Sequence, residues 1–186
     1  YNALQLCAEL AKGFDDTDYQ TPVATATLGT AFAETFWLAE QEYLADVVNE
    51  DGVDTALRPN QILAVSLPHS PLSREKMRAV VAAVQEHLLT PVGLRTLAPS
   101  DPAYQGHYGG SSEARDSAYH QGTVWPWPFG AFAEGYLKVH DFSPAARRQV
   151  QSWLRGWEPH LSEAGLGTVS EIFDGDPPHR PAGCIA

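Results

Sequence analysis

Apolar positions recur at helical spacing along most of this chain. Residues 2–14 carry Ala3, Leu4, Cys7, Leu10, Ala11 and Phe14 in that pattern, and Gly13 closes it. A second helix is predicted over 25–45, where Leu28, Ala31, Phe32, Thr35, Phe36, Leu38 and Ala39 make a face broad enough for burial on more than one side. Residues 44–58 read as a turn-rich loop around Asn49-Glu-Asp-Gly52. Pro59 then opens a short helix to Leu67, as suits proline's preset φ and missing donor. The clearest helix starts at the cap Ser73, with Met77, Val80, Val81, Val84 and Leu88 on one face, and ends at Thr90-Pro91.

Residues 91–123 show no period, yet hold Tyr104, Tyr108 and Tyr119. Loops of that length in a compact domain tend to be functional or disordered, and the tyrosines favour an ordered, functional one. Helices are predicted again over 126–140 and, from the cap Ser143-Pro144, to about Ala164. No stretch alternates with period two, so the expected fold class is all-α, helices joined by long loops.

Two segments depart from helical patterning. Ser170–Ala186, SEIFDGDPPHRPAGCIA, crowds four acids or imidazoles, three prolines and two glycines into seventeen residues, which no helix tolerates. Residues 118–130, AYHQGTVWPWPFG, form a second loop of this kind. Shaped loops on a rigid scaffold are where function gathers.

Net charge changes the picture by exclusion. At −11 the chain lacks the clustered Lys and Arg that nucleic acid requires, and it does not favour an anionic membrane surface. No apolar run approaches a membrane span. Cys7 and Cys184 are far apart and outside any CxxC spacing, so neither a disulfide framework nor a zinc site is expected, and a reducing, cytoplasmic setting is. Tyr1 falls inside a helical pattern and Gly183-Cys-Ile-Ala186 opens an apolar run; both ends read as cuts in a longer polypeptide.

The side chains of the two loops suit a sugar. Trp125, Trp127 and Tyr119 offer faces for the C–H side of a pyranose; Arg58, Asn60, Gln61, His120 and Gln121 offer donors and acceptors for its hydroxyls. The competing reading for the tryptophans is core packing at a helix start, which is favoured for Trp127; for His120-Gln121 it is capping of a neighbouring helix. Pattern alone leaves the latter pair even. Glu171, between Ser170 and Ile172-Phe173, is a carboxylate open to partial desolvation and so to acid/base work, but on chemistry alone an ordinary surface glutamate is the favoured reading. Asp174, Asp176 and His179 do not match a calcium loop; a tight turn at Asp174-Gly175 and an Asp176–Arg180 pair serve better than a metal.

Five segments decide between these readings. LRPNQILAVSL (57–67), LLTPVGLRTL (88–97), DPAYQG (101–106), YHQGTVWP (119–126) and SEIFDGDPPHRP (170–181) occur in order over almost the whole chain, and the last two are long and specific. Together they resemble the C-terminal amylo-α-1,6-glucosidase domain of glycogen debranching enzymes. The resemblance implies that residues 1–186 are a C-terminal portion, about half, of one (α/α)6 toroid. It implies inverting hydrolysis of α-1,6-linked glucose branches in glycogen or limit dextrin, an α-glucan partner and no cofactor. Glu171 matches the family's general base. The family's acid, an Asp in a Trp-Met-Asp-Ala-like motif, has no counterpart here and is expected upstream, in a missing N-terminal part of the same polypeptide. Arg58, Asn60, Tyr104, Asp116, His120, Gln121 and Trp125 are the candidate substrate-binding residues. Asp116 has a competing reading as a structural ion pair with Arg115. A trehalase-like hydrolase, a disaccharide phosphorylase and a non-catalytic glycan-binding domain are the alternatives. A half toroid is also expected to be inactive alone, with Leu28, Phe32 and Phe36 left unpartnered.

Overall fold

The computed structural model describes residues 1–14 and 22–184, and for 22–24 the backbone only. Helix α1 (Asn2–Gly13) and helix α2 (Pro22–Phe36) are followed by two hairpins, β1 (Trp37–Leu38) with β2 (Tyr43–Leu44) and β3 (Val47–Asn49) with β4 (Gly52–Asp54). A 3-10 turn (Pro59–Ile62) leads into α3 (Leu63–Ser66), and α4 (Arg74–His87) follows. Next come β5 (Leu89–Thr90), β6 (Gly93–Arg95), α5 (Ser112–Ala118), β7 (Val124–Trp125), α6 (Pro128–Val139) and α7 (Pro144–Arg155). A second 3-10 turn (Pro159–Ser162) precedes β8 (Ile172–Phe173) and β9 (Pro181–Ala182).

The all-α expectation is therefore wrong. Strands β5 to β9 form one five-stranded antiparallel sheet in sequence order, and the chain is a mixture of α and β. The physical reason is strand length. A strand of two or three residues has no readable alternation, and its pairing is non-local: Val124 faces Phe173, and Leu94 faces Trp125. The supposed loop 91–123 thus holds strand β6 and helix α5, and the tail holds strands β8 and β9. The predicted 25–45 helix also stops early, at Phe36, where the backbone turns into the β1–β2 hairpin and Ala45 N donates to Phe36 O at 2.7 Å. The last predicted helix ends at Arg155 rather than near 164, and Pro159 opens the 3-10 turn beyond it. Between 22 and 36 the broad apolar face is only partly covered: Phe32 and Phe36 are half-buried and stacked at 5.0 Å, while Leu28 is exposed.

The core sits where α3, α4 and α6 meet. Ser73 Oγ caps α4 by accepting from Lys76 N, and Val80, Val81, Val84 and Leu88 are buried as their spacing predicts. They pack with Ile62, Val65, Leu94, Phe129 and Phe132 in one cluster. Phe132 has no exposed surface and meets Trp153 of α7 at 5.3 Å between ring centroids. The short α3 is closed by Lys138 of α6, whose ammonium donates to Ser66 O at 2.6 Å and also to the Val65 and Leu67 carbonyls. A cation there satisfies carbonyls that the helix end leaves without partners. Among the described residues no helix is long and apolar enough to cross a membrane.

Candidate active site

The sheet brings the two unusual loops side by side, because β7 closes the 118–125 segment and β8 opens the tail. Glu171 precedes β8. Its backbone is fixed from both sides. Ser170 N donates to Nε2 of the buried His160 at 3.1 Å, and Glu171 N donates to Cys184 O at 3.2 Å. The Glu171 carboxylate then accepts two hydrogen bonds, from Tyr119 Oη to Oε1 at 2.5 Å and from Cys184 N to Oε2 at 2.7 Å. The close approach behind the second bond needs Gly183. Its φ of +75° suits glycine, and a Cβ there would stand 2.6 Å from Glu171 Oε2.

These donors set the charge state. The Cys184 N–H, and after it the Tyr119 hydroxyl, hold the Glu171 carboxyl below its usual range, against the opposing effect of burial. Tyr119 is pushed the other way, up to about 12, by burial and then by the adjacent carboxylate. Glu171 is therefore ionised and Tyr119 protonated near neutral pH. A carboxylate has about four lone-pair sites, so two accepted bonds leave acceptor capacity for a water.

Tyr119 also joins Glu171 to an aromatic cluster. Its ring meets Tyr108 at 5.9 Å, His120 at 4.8 Å and Trp125 at 4.9 Å, and His120 stacks on Trp125 at 5.1 Å and 17°. His120 and Trp125 line a cleft of about 410 Å³ together with Arg58, Asn60 and Gln121. Arg58 organises one wall. Its guanidinium donates to Thr96 O at 3.1 Å, His120 O at 2.7 Å and Gln121 Oε1 at 2.8 Å, and its Nε lies 3.5 Å from Asp46. Asn60 Nδ2 donates to the same Asp46 carboxylate at 3.0 Å.

Five of the sequence candidates, Arg58, Asn60, His120, Gln121 and Trp125, thus share one cleft. Glu171 is not among its lining residues; it accepts from Tyr119, whose ring contacts His120 and Trp125 of the cleft. Tyr104 is elsewhere. Its hydroxyl donates to Asp176 at 2.9 Å and its ring packs on Gly122, so it pins the 101–106 turn to the tail. Asp116 is exposed on α5 and outside the cleft; Arg115 donates to Gly110 O instead, and no ion pair joins the two among the described residues. Gln61 is buried and serves structure, accepting from Leu44 N and donating to Arg58 O.

Other local expectations change too. Arg180 pairs with Asp174, at 3.2 Å, rather than with Asp176. Asp174 is buried, and also accepts from Tyr108 N at 2.7 Å and contacts His107 Nδ1 at 3.2 Å. Among the described residues no group of three or more His, Cys, Asp or Glu side chains is gathered for a metal ion. Trp127, expected in the core, is 63% exposed and lines the cleft beside Pro128. Sequence reasoning missed Asp46, Asp54 and Thr96 as cleft residues, and no local signal marks them, since hairpin and strand pairing put them there. A second cavity, of about 320 Å³, lies beyond Asp46, Arg58 and Asn60 and is walled mainly by apolar side chains such as Phe32, Phe36 and Leu63.

The sequence profile of the family described as Amylo-alpha-1,6-glucosidase matches residues 1–186. Glycogen debranching enzyme of Saccharomyces cerevisiae is 33% identical over 112 residues, which cover 54% of this chain and 7% of that protein. The chain thus spans a small part of the curated relative it matches. With the profile matched from end to end, this chain belongs to the amylo-alpha-1,6-glucosidase family.

Proposed function

We propose that this chain carries the general base of a glycosidase that hydrolyses α-1,6-linked glucose branches of glycogen or limit dextrin with inversion, and that Glu171 is that base. One observation carries the reading: an ionised carboxylate, held by two donors, is hydrogen-bonded to the tyrosine whose ring contacts His120 and Trp125, in a cleft lined by aromatic and polar side chains. Family membership supports the same substrate class. In this reaction Glu171 takes a proton from a water as its oxygen attacks the anomeric carbon. The bond from that carbon to the C6 oxygen of the main chain breaks, and an acid protonates the departing oxygen. An inverting pair needs carboxyls about 6.5–9.5 Å apart, to admit the water. Asp46 and Asp54 line the cleft; Asp46 is committed to Arg58 and Asn60, and Asp54 accepts from Ala56 N in its own turn. We therefore assign the acid to a segment outside these residues. Trp125 and His120 cover a sugar face, and Gln121, Arg58 and Asn60 hold hydroxyls or each other. Tyr104, on the 101–106 turn, and Asp116, on α5, lie outside this wall. The chemistry requires no cofactor. Two exposed, unpaired cysteines suit a reducing compartment, the cytoplasm.

Glu171→Gln tests the reading in the intact protein. The change keeps shape and removes the base, so glucose release from a branched dextrin should fall about 10²–10⁴-fold while dextrin affinity stays within a few-fold. Activity within a few-fold of the parent protein removes Glu171 from the role.

A further inference from the structure

We propose that Tyr119 is the positioning residue of the Glu171 carboxylate: its hydroxyl, acting with the Cys184 backbone N–H, locks the carboxylate in one orientation and leaves it ready to accept a proton from water. The inference rests on Glu171 being the base. The geometry supports it in three ways. First, the two donors grip different oxygens, at 2.5 Å and 2.7 Å, so the carboxylate is held against both rotation and tilt. Second, Tyr119 is itself fixed: its ring contacts Tyr108, His120 and Trp125, and its carbonyl accepts from Trp125 Nε1 at 3.1 Å and from Thr123 Oγ1 at 2.6 Å. A donor whose ring and backbone are both tethered imposes direction on its acceptor. Third, the same ring contacts His120 and Trp125, which stack on each other and line the cleft, so Tyr119 links the base to the sugar site. A glutamate has three side-chain torsions, and ordering one at the moment of reaction costs rate that preorganisation recovers.

Tyr119 reaches the carboxylate from the 104–123 segment, with Tyr108 and His120 against its ring, and the Cys184 N–H reaches it from the strand side. His160 accepts from Ser170 N at Nε2 and faces Glu163 at 3.7 Å with Nδ1, and Arg180 is turned to Asp174 and to Tyr108 O. Among these, the Tyr119 hydroxyl is the side chain that hydrogen-bonds the Glu171 carboxylate.

Tyr119→Phe in the intact protein separates this role from packing, because the ring and its contacts remain. The expected result is a fall in kcat of about tenfold, KM for dextrin unchanged within twofold, and an acid limb of the kcat profile displaced to higher pH. The direction follows because the lost hydrogen bond favoured the charged carboxylate. A carbon-13 titration of the glutamate carboxyls in the parent protein gives a readout that needs neither the variant nor turnover. The Glu171 signal, assigned by its loss in Glu171→Gln, should titrate below the ordinary glutamate range; titration at or above it overturns the proposal. Unchanged kcat and acid limb in Tyr119→Phe overturn it too, as does a KM effect alone, which marks a substrate contact. If Glu171→Gln keeps its activity, the base assignment has failed. If that variant is dead and Tyr119→Phe is normal, only the positioning role has failed.

Discussion

Replacing Arg58 by Met keeps an apolar stem and deletes the guanidinium that ties three chain segments into one cleft wall. Four interactions are lost: hydrogen bonds to Thr96 O, His120 O and Gln121 Oε1, and the ion pair with Asp46. Hydrogen bonds to a charged group are worth about 1.5–3 kcal/mol each. Two corrections shrink the sum. The Arg58 side chain is 18% exposed, so water from the cleft re-satisfies part of what is freed. The Asp46 pair, at 3.5 Å and beside open solvent, contributes at most about 1 kcal/mol. A net local loss of about 2–3 kcal/mol remains, equivalent to roughly 30- to 150-fold in an opening equilibrium. Amide hydrogen exchange in the intact protein reads that number directly. The Gln121 and Gly122 amides, which donate to Ala118 O and Thr96 Oγ1, should exchange faster by that factor, while amides of α4 should not change. Arg58→Lys should fall between the two, since a single ammonium cannot serve three acceptors set by a planar fork. A change below threefold at both amides in Arg58→Met would refute the claim that the guanidinium holds the wall.

Two further predictions concern the scaffold. Phe132→Ala, at a position with no exposed surface and ring contacts to Phe129, Tyr136 and Trp153, should destabilise the α6 region by about 3–5 kcal/mol in denaturant unfolding, and Phe132→Leu by clearly less. Asp174 should make the tail acid-sensitive. Burial alone would raise its carboxyl, but Tyr108 N–H, Arg180 and His107 outweigh burial and hold it below 3.8. A depressed folded-state value lends stability that is complete above the ordinary value and drains as pH falls through the folded one. Proteolysis of residues 174–184 should therefore rise in the parent protein as pH drops below about 4. In Asp174→Asn it should be high and flat from pH 6 downward; parallel curves for the two proteins would contradict the mechanism.

The sequence alone determined the local features, because local features depend on neighbours in the chain. The Ser73 cap and the Val80-Val81-Val84-Leu88 face of α4 follow from period and capping chemistry, as do the Pro59 and Ser143-Pro144 starts. The family was legible too, since YHQGTVWP and SEIFDGDPPHRP are long enough to be distinctive. The sheet was not. Its strands are two or three residues long, and no periodicity can be read over so short a span. Only pairing between residues as distant as Val124 and Phe173 makes them strands. The same pairing decided the site. Placing Tyr119 against Glu171 and swinging Trp127 out to the cleft rim are consequences of strand order, as is turning Tyr104 toward Asp176. The chain specified which chemical groups were available; long-range packing, whose entropy cost is met only when the whole core closes, chose which of them meet.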